Sequence, residues 1–229
     1  MTVEPISLLE GLATTRAIRR YRPDPIPETD LATILWHASR APSGSNRQPF
    51  RFLVLRDGPK ATQAKALLGE AFREGWAQKR GDDGYDRGSG ADAGTPKARM
   101  AAAMQQFVET FEQTPVVVLA CLARYRSENP TEGASVYPAC QNLLLAARAL
   151  GYGGVMTSWH LFVIDRLREV LEIPPEVFVA ATIPLGRPVG HHGPVRRRPL
   201  GELVFDDGWG EAAPWAVDPP DTRFTKAGP

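Results

Sequence analysis

The amino-acid sequence predicts a single α+β domain in which amphipathic helices flank short buried strands. Two apolar runs, 114–122 and 177–184, have the length and continuous hydrophobicity of strands buried on both faces. Other segments space their apolar residues as one face of a helix does, namely 6–13, 28–40, 61–80, 97–112, 137–150 and 164–171. At 229 residues the chain suits one domain with a sizeable core, and neither half has the composition of a separate module.

Composition argues against several classes of partner. The chain carries 27 Lys and Arg against 26 Asp and Glu, so its net charge favours neither nucleic acid nor an anionic membrane as a partner. No apolar window approaches the length of a membrane span, and residues 1–10 lack the apolar run of a secretory signal. Cys121 and Cys140 both lie in apolar runs, which is typical of reduced core residues. We therefore expect a cytoplasmic protein that binds neither nucleic acid nor membrane.

The segment 41–50, Ala-Pro-Ser-Gly-Ser-Asn-Arg-Gln-Pro-Phe, joins the helix at 28–40 to a strand predicted at 51–56. Pro42 and Gly44 end the helix, and the apolar run that follows the loop is typical of a buried strand. Between these elements lie several hydrogen-bonding side chains: Ser43, Ser45, Asn46 and Gln48. Such a loop either presents hydrogen bonds to a flat polar ligand or uses turn-forming residues simply to turn the chain.

Arginines cluster in two other places. The segment 15–27, Thr-Arg-Ala-Ile-Arg-Arg-Tyr-Arg-Pro-Asp-Pro-Ile-Pro, contains four, and residues 196–198 are three in succession. An Arg cluster either forms a solvated face or supplies the permanent charge and planar donors that a phosphate group needs. Alternation in an extended segment places Arg196 and Arg198 on one side and Arg197 on the other.

Together these stretches resemble the nitroreductase family of FMN-dependent flavoenzymes. The resemblance is carried by segment 15–27, by the loop at 41–50, by the glycine-rich 149–154, and by 184–188 with 196–200 close behind. It covers about residues 8–205. It implies a three-layer fold, with a central, mostly antiparallel sheet flanked by helices, in an intertwined homodimer whose flavin sites lie at the subunit interface.

The resemblance also assigns roles to the loops. Segment 81–96 corresponds to a flexible excursion that covers the flavin as a lid. Residues 203–205 form a candidate strand, because the family's C-terminal segment reaches over the other subunit and adds to its sheet. The remaining tail, 206–229, is expected to be irregular.

The FMN-binding residues that the resemblance implies fall in four groups: Arg16, Ala17, Arg19 and Arg20; Pro42, Ser43, Gly44, Asn46 and Gln48; Met156, Thr157 and Ser158; and Arg196 with Arg198. Arg20 is the weaker candidate of its group. The chain departs from the family pattern at Thr15, where the family has its first Arg, and at Ala17, where it has Ser. The backbone N–H of Ala17 could still serve the phosphate.

The implied activity is hydride transfer from NAD(P)H through flavin N5 to an electron-poor small molecule, such as a nitroaromatic or a quinone, by a ping-pong mechanism. No side chain is assigned a catalytic role, and the sequence shows neither a dinucleotide fingerprint nor a hydrolytic triad. His191 and His192 are adjacent and lack spaced acidic partners, so we expect no metal. The alternatives are a non-catalytic flavin-binding or sensing protein, or a dehalogenase, ene-reductase or flavin-cleaving member of the same fold.

Overall fold

A four-stranded antiparallel sheet runs through the centre of the computed structural model, which describes residues 6–224. Its strands are β1 (Phe50–Leu55), β2 (Val116–Ala123), β3 (Gly153–Gly154) and β4 (Val177–Gly186), in the order β1-β2-β4-β3. The helices are α1 (Leu8–Thr14), α2 (Glu28–Ala38), α3 (Pro59–Asp82), α4 (Pro96–Glu109), α5 (Tyr137–Ala149) and α6 (Ile164–Leu171). Each helix and long strand lies within a few residues of its predicted position.

The strand β2 divides the core into two layers, because successive side chains of a strand point to opposite faces. Val116, Val118, Ala120 and Leu122 pack into one cluster with α2 and α5. Val117, Leu119 and Cys121 face the other cluster, which α3, α4 and α6 complete. The prediction of a central, antiparallel sheet between two helical layers is therefore confirmed.

The helix α5 is buried along one side only, through Ala139, Cys140, Leu143 and Ala147. The sequence predicted a helix enclosed nearly all round, and within this one subunit that prediction is wrong, since Leu144, Leu145 and Ala146 remain partly exposed. On α1 the apolar side is also open: Leu8 is 71% exposed and Leu9 77%.

The strand predicted at 203–205 does not form. Residues 200–202 make a 3₁₀ turn instead, and the carbonyl of Leu200 accepts the N–H groups of Leu203 and Val204 at 2.9 and 3.1 Å. These local bonds use the donors that a strand would offer to a neighbour, which is why the apolar run stays outside any sheet. Phe205 makes an isolated bridge with Ala212 of the same tail. The predicted tail at 206–229 is irregular as far as residue 224, and its last five residues lie outside the described range.

The excursion at 81–96 is a series of turns and one short 3₁₀ segment between α3 and α4. Its Tyr85 ring packs 5.2 Å from that of Trp76, and Asp86 pairs with Arg80 at 2.7 Å. These contacts seat the segment above the α3–α4 layer, and its movement as a lid stays a prediction. Within residues 6–224, no helix combines the length and hydropathy needed to cross a membrane.

Candidate functional site

The arginine-rich segment after α1 is held against the glycine turn that leads into β3. The backbone N–H of Ile18 donates to the carbonyl of Gly154 at 2.9 Å, and that of Arg22 donates to Arg187 at 2.8 Å. A Cβ on Gly153 would lie 2.5 Å from Cγ1 of Ile18. Only glycine allows this close approach, and the buried Ile18 therefore fixes the arginines on either side of it.

Residues 156–158 continue from β3 along the edge of β4. Thr157 exchanges both backbone hydrogen bonds with Thr182, at 3.0 and 2.9 Å. In antiparallel pairing the flanking residues turn their own backbone groups away from the neighbouring strand. The N–H groups of Met156 and Ser158 therefore point away from β4, and no partner is found for either among the described residues.

Two cavities meet at Arg19. One, of about 350 Å³, is lined by Arg19 and residues 156–158 together with an apolar wall of Phe72, Trp76, Met104 and Phe107. The other, of about 590 Å³, is lined by Arg16, Ala17, Arg19 and Arg20 together with Arg99, His191 and His192. Among the described residues no carboxylate lines either cavity, so both carry an excess of positive charge.

The arginines of this segment are not neutralised by the protein. In residues 6–224, no carboxylate lies within 4.0 Å of Arg16, Arg19 or Arg20. Burial lowers the pKa of the Arg19 guanidinium from its usual value, an effect that Tyr21 opposes. A largely buried cation without a counter-ion is costly unless an anion binds beside it. A flat ligand with an anionic end matches the apolar wall and this cationic cavity.

The segment after β4 returns to the same end of the molecule. The N–H of Gly193 donates to the carbonyl of Thr14 at 3.1 Å, and that of Val195 donates to Ala13 at 3.3 Å. This pairing places Arg196 beside the residues that precede Arg16. The side chains of Arg196 and Arg198 nevertheless line neither cavity.

The loop containing Pro42, Ser43, Gly44, Asn46 and Gln48 lies elsewhere. The carbonyl of Pro49, at the end of this loop, accepts the N–H of Ala123, the last residue of β2. The arginine segment docks near Leu185, which pairs with Val116 at the first residue of β2. At about 3.3 Å per residue the two ends of β2 are roughly 23 Å apart. One subunit therefore does not bring the loop together with the other three groups.

The loop itself has an unusual backbone. Ser45, Asn46 and Gln48 have φ angles of 52°, 50° and 50°, in the left-handed region that is unfavourable for side chains other than glycine. The Ser43 Oγ atom accepts the N–H of Gln48 at 2.9 Å, and the Gln48 amide donates to the Asn46 Oδ1 atom at 3.1 Å. Strain of this kind is typical of ligand-binding loops, which favours the ligand-presenting interpretation over a simple turn.

His192 is a residue of the site that the sequence did not reveal. Its Nδ1 atom accepts the backbone N–H of Arg16 at 3.4 Å, so the proton lies on Nε2, which donates to the carbonyl of Tyr152 at 3.2 Å. Burial is the main reason that its pKa is lowered, and Arg148 and Arg16 lower it further. No sequence pattern signals this role, because both partners of the ring are backbone atoms. No group of three or more potential metal ligands occurs among the described residues.

Comparison with known proteins places this geometry in a family. The model of the nitroreductase family matches residues 12–187. A protein of Thermus thermophilus named NADH dehydrogenase is 32% identical over 83% of this chain and 91% of its own length. Among solved structures, a protein of Desulfovibrio desulfuricans in complex with FMN is 27% identical, covers 87% of this chain and 96% of its own, and superposes with a TM-score of 0.61.

The fold likeness is strongest for an FMN- and NADPH-dependent nitroreductase, NfnB, of Sphigopyxis sp. strain HMH among those we compare. Its TM-score is 0.68 at 22% identity, and the match covers 89% of this chain and 100% of the other. The family match spans most of the chain and includes the arginine segment, the strained loop and the turn at 156–158. The chain belongs to the nitroreductase family.

Proposed function

We propose that the protein is an NAD(P)H-dependent FMN oxidoreductase that reduces an electron-poor small molecule, such as a nitroaromatic or a quinone. The observation that carries the proposal is the position of Arg19, which joins a cation-lined cavity to one with an apolar, aromatic wall. FMN has a phosphate at one end and a flat ring system at the other. The two cavities match these two parts in chemistry.

The phosphate and ribityl chain are assigned to Arg16 and Arg19, with the backbone N–H of Ala17 replacing the hydroxyl that the family pattern leads us to expect. Arg20, Arg196 and Arg198 add positive charge at the same end. Planar guanidinium groups suit a phosphate because each offers several donors with a permanent charge. The absence of carboxylate partners among the described residues supports this assignment for Arg16, Arg19 and Arg20.

The flavin ring is assigned to the cavity beside residues 156–158. Because Thr157 already bonds to Thr182, the N–H groups of Met156 and Ser158 are the ones left to face a ligand. When bound, FMN supplies the redox chemistry, accepting hydride at N5 from NAD(P)H and passing reducing equivalents to the acceptor in a ping-pong sequence. Backbone donors beside the ring favour its anionic reduced form, which is electrostatic tuning rather than acid-base catalysis.

A complete site on this proposal needs two subunits. Pro42, Ser43, Gly44, Asn46 and Gln48 lie at the far end of β2 from the arginines, so they would contact the flavin held by the partner subunit. The exposed leucines of α1 and the open side of α5 are apolar surfaces that a homodimer would cover. Together they support the predicted homodimer with flavin sites at its interface.

The proposal is tested by the visible spectrum of the purified protein under anaerobic conditions. We expect the absorption of oxidised flavin, its bleaching on addition of NADH or NADPH, and its recovery on addition of a nitroaromatic or a quinone. The cofactor released by denaturation should be FMN. A colourless protein that takes up no added FMN would contradict the assignment, and a flavin that neither nucleotide bleaches would favour a flavin-binding protein without turnover.

A further inference from the structure

A third cavity lies next to the strained loop and is not used by the site described above. It has a volume of about 380 Å³ and is lined by Ser43 and Gly44 of the loop and by the segment after β2, including Tyr125 and Arg126. The loop is one of the proposed flavin contacts. Whatever occupies this cavity therefore lies directly beside a flavin bound there.

Two arginines flank one exposed aromatic ring at this cavity. The Cζ atom of Arg47 lies 4.4 Å from the centroid of the Tyr125 ring, and that of Arg126 lies 5.4 Å from it. Tyr125 is 53% exposed. Arg47 lies in the strained loop between Asn46 and Gln48, so the same short segment that is assigned to the flavin also carries one of the two guanidinium groups.

The charge of this pair is free, unlike that of the neighbouring arginine. Arg124 donates to both carboxylate oxygens of Glu132, at 2.9 and 2.5 Å, and is thereby neutralised. By contrast, in the part of the chain that the structure describes, no carboxylate lies within 4.0 Å of Arg47 or Arg126. Since Glu132 is the one acidic residue that lines the cavity and is already paired, the charge left for a ligand is positive.

The chemistry of this pair suits a phosphorylated adenosine. A guanidinium plane stacks on aromatic rings, including nucleobases, and two guanidinium groups together provide several charged donors for one phosphate. NADPH differs from NADH only in a 2′-phosphate on its adenosine ribose, at the opposite end from the nicotinamide. Resting on the proposed function, we propose that Arg47 and Arg126, stacked about Tyr125, bind the 2′-phosphate of NADPH and make it the preferred electron donor.

The first test measures binding without any reaction. Titration calorimetry of the FMN-loaded protein with 2′,5′-ADP and with 5′-AMP compares two ligands that differ by the 2′-phosphate. We expect 2′,5′-ADP to bind at least tenfold more tightly, and Arg47→Gln and Arg126→Gln each to reduce that advantage by about tenfold, as the loss of a charged hydrogen bond does. Arg40→Gln is the matched control, because Arg40 stacks on Trp36 at 4.9 Å away from this cavity.

The second test measures the donor preference. Anaerobic stopped-flow records the rate of flavin bleaching against the concentration of NADPH and of NADH, and the ratio of the two second-order constants should fall about tenfold in each variant but not in Arg40→Gln. Equal binding of 2′,5′-ADP and 5′-AMP, or a ratio unaffected by the substitutions, would overturn the inference. Flavin binding and bleaching by NADH alone would then leave the proposed function intact, whereas tight 2′,5′-ADP binding without bleaching would contradict the proposed function and support this site.

Discussion

The Nδ1 atom of His192 accepts the backbone N–H of Arg16 at 3.4 Å, so a side chain 176 residues away holds the arginine segment in position. The other ring nitrogen donates to the carbonyl of Tyr152 in the turn before β3. The imidazole thus ties together two of the three backbone segments that meet at the proposed phosphate end, and it belongs to the third.

Replacing His192 should weaken flavin binding without removing any group assigned to contact the flavin. We expect His192→Ala to raise the dissociation constant of FMN by about three- to tenfold, since each lost hydrogen bond contributes about 1 kcal/mol. The measurement is quenching of flavin fluorescence on titration with the apoprotein. His191→Ala is the matched control and should change the constant little, because His191 has no hydrogen-bond partner among the described residues. Equal effects of the two substitutions would contradict the positioning role.

The same histidine predicts a dependence of stability on pH. Its pKa in the folded protein is lowered, mainly by burial, from a value near 6.5 in an unfolded chain. The neutral ring is therefore favoured by folding, and its contribution to stability is complete above about pH 6.5 and is lost as the pH falls through the folded pKa. The free energy of unfolding should decrease between pH 7.5 and 5.

His192→Gln should flatten part of that decrease, since an amide does not titrate in this range. Urea unfolding of both proteins at several pH values provides the comparison. His160 is buried and its pKa is also lowered by burial, but it is present in both proteins, so the difference between the curves reports on His192. Parallel curves would show that His192 titrates alike in the folded and unfolded chains.

Arg19 should contribute more to flavin binding than Arg20. Arg19 lines both cavities of the proposed flavin site and is partly buried, whereas Arg20 lines only the cationic one and is exposed. We expect Arg19→Gln to weaken FMN binding by about 10- to 100-fold, as the loss of a charge-assisted hydrogen bond does. Arg20→Gln should weaken it by less than about threefold, since exposed charges contribute little. Isothermal titration with FMN distinguishes the two, and a larger effect at Arg20 would reverse the assignment.

Gly154 should tolerate no side chain. A Cβ at this position would lie 2.6 Å from the carbonyl oxygen of Pro184 and 2.6 Å from Cδ2 of Leu185, so β3 and β4 would have to separate. Gly154→Ala should lower the free energy of unfolding by about 1–3 kcal/mol. Gly81→Ala is the control of opposite sign: a Cβ there meets nothing within 4 Å, and alanine in a helix is favoured by up to about 1 kcal/mol. Urea denaturation measures both.

Mixed dimers test whether the strained loop serves the partner's flavin. One chain carries Arg16→Gln with Arg19→Gln, the other carries Asn46→Ala with Gln48→Ala, and differently tagged copies are co-purified. If the arginines of one subunit and the loop of its partner form one site, a mixed dimer has one intact site and one site that lacks both groups. We expect the mixed dimer to bind FMN at about half the wild-type stoichiometry, while each parent homodimer binds weakly. Mixed dimers no better than the parents would place both groups in a single-subunit site.

The sequence alone determined the type and approximate position of most elements. The helix predicted at 164–171 forms with those bounds, and the runs at 114–122 and 177–184 became β2 and β4, because hydrophobic periodicity is a local property that the core layers then use. Arginine chemistry identified Arg16 and Arg19 as candidates without coordinates. The apolar run at 203–205 misled because local bonds to the Leu200 carbonyl competed successfully with strand pairing.

Tertiary structure alone decided which of these residues can meet. The turn at 156–158 joined the arginine segment because β3 pairs with β4, whereas the loop at 42–48 was placed at the far end of β2 by the antiparallel register of β1 and β2. The role of His192 and the stacking of Arg47 and Arg126 on Tyr125 also required coordinates. These relationships join residues distant in the chain, or depend on how exposed side chains orient, and neither leaves a periodic signal in the sequence.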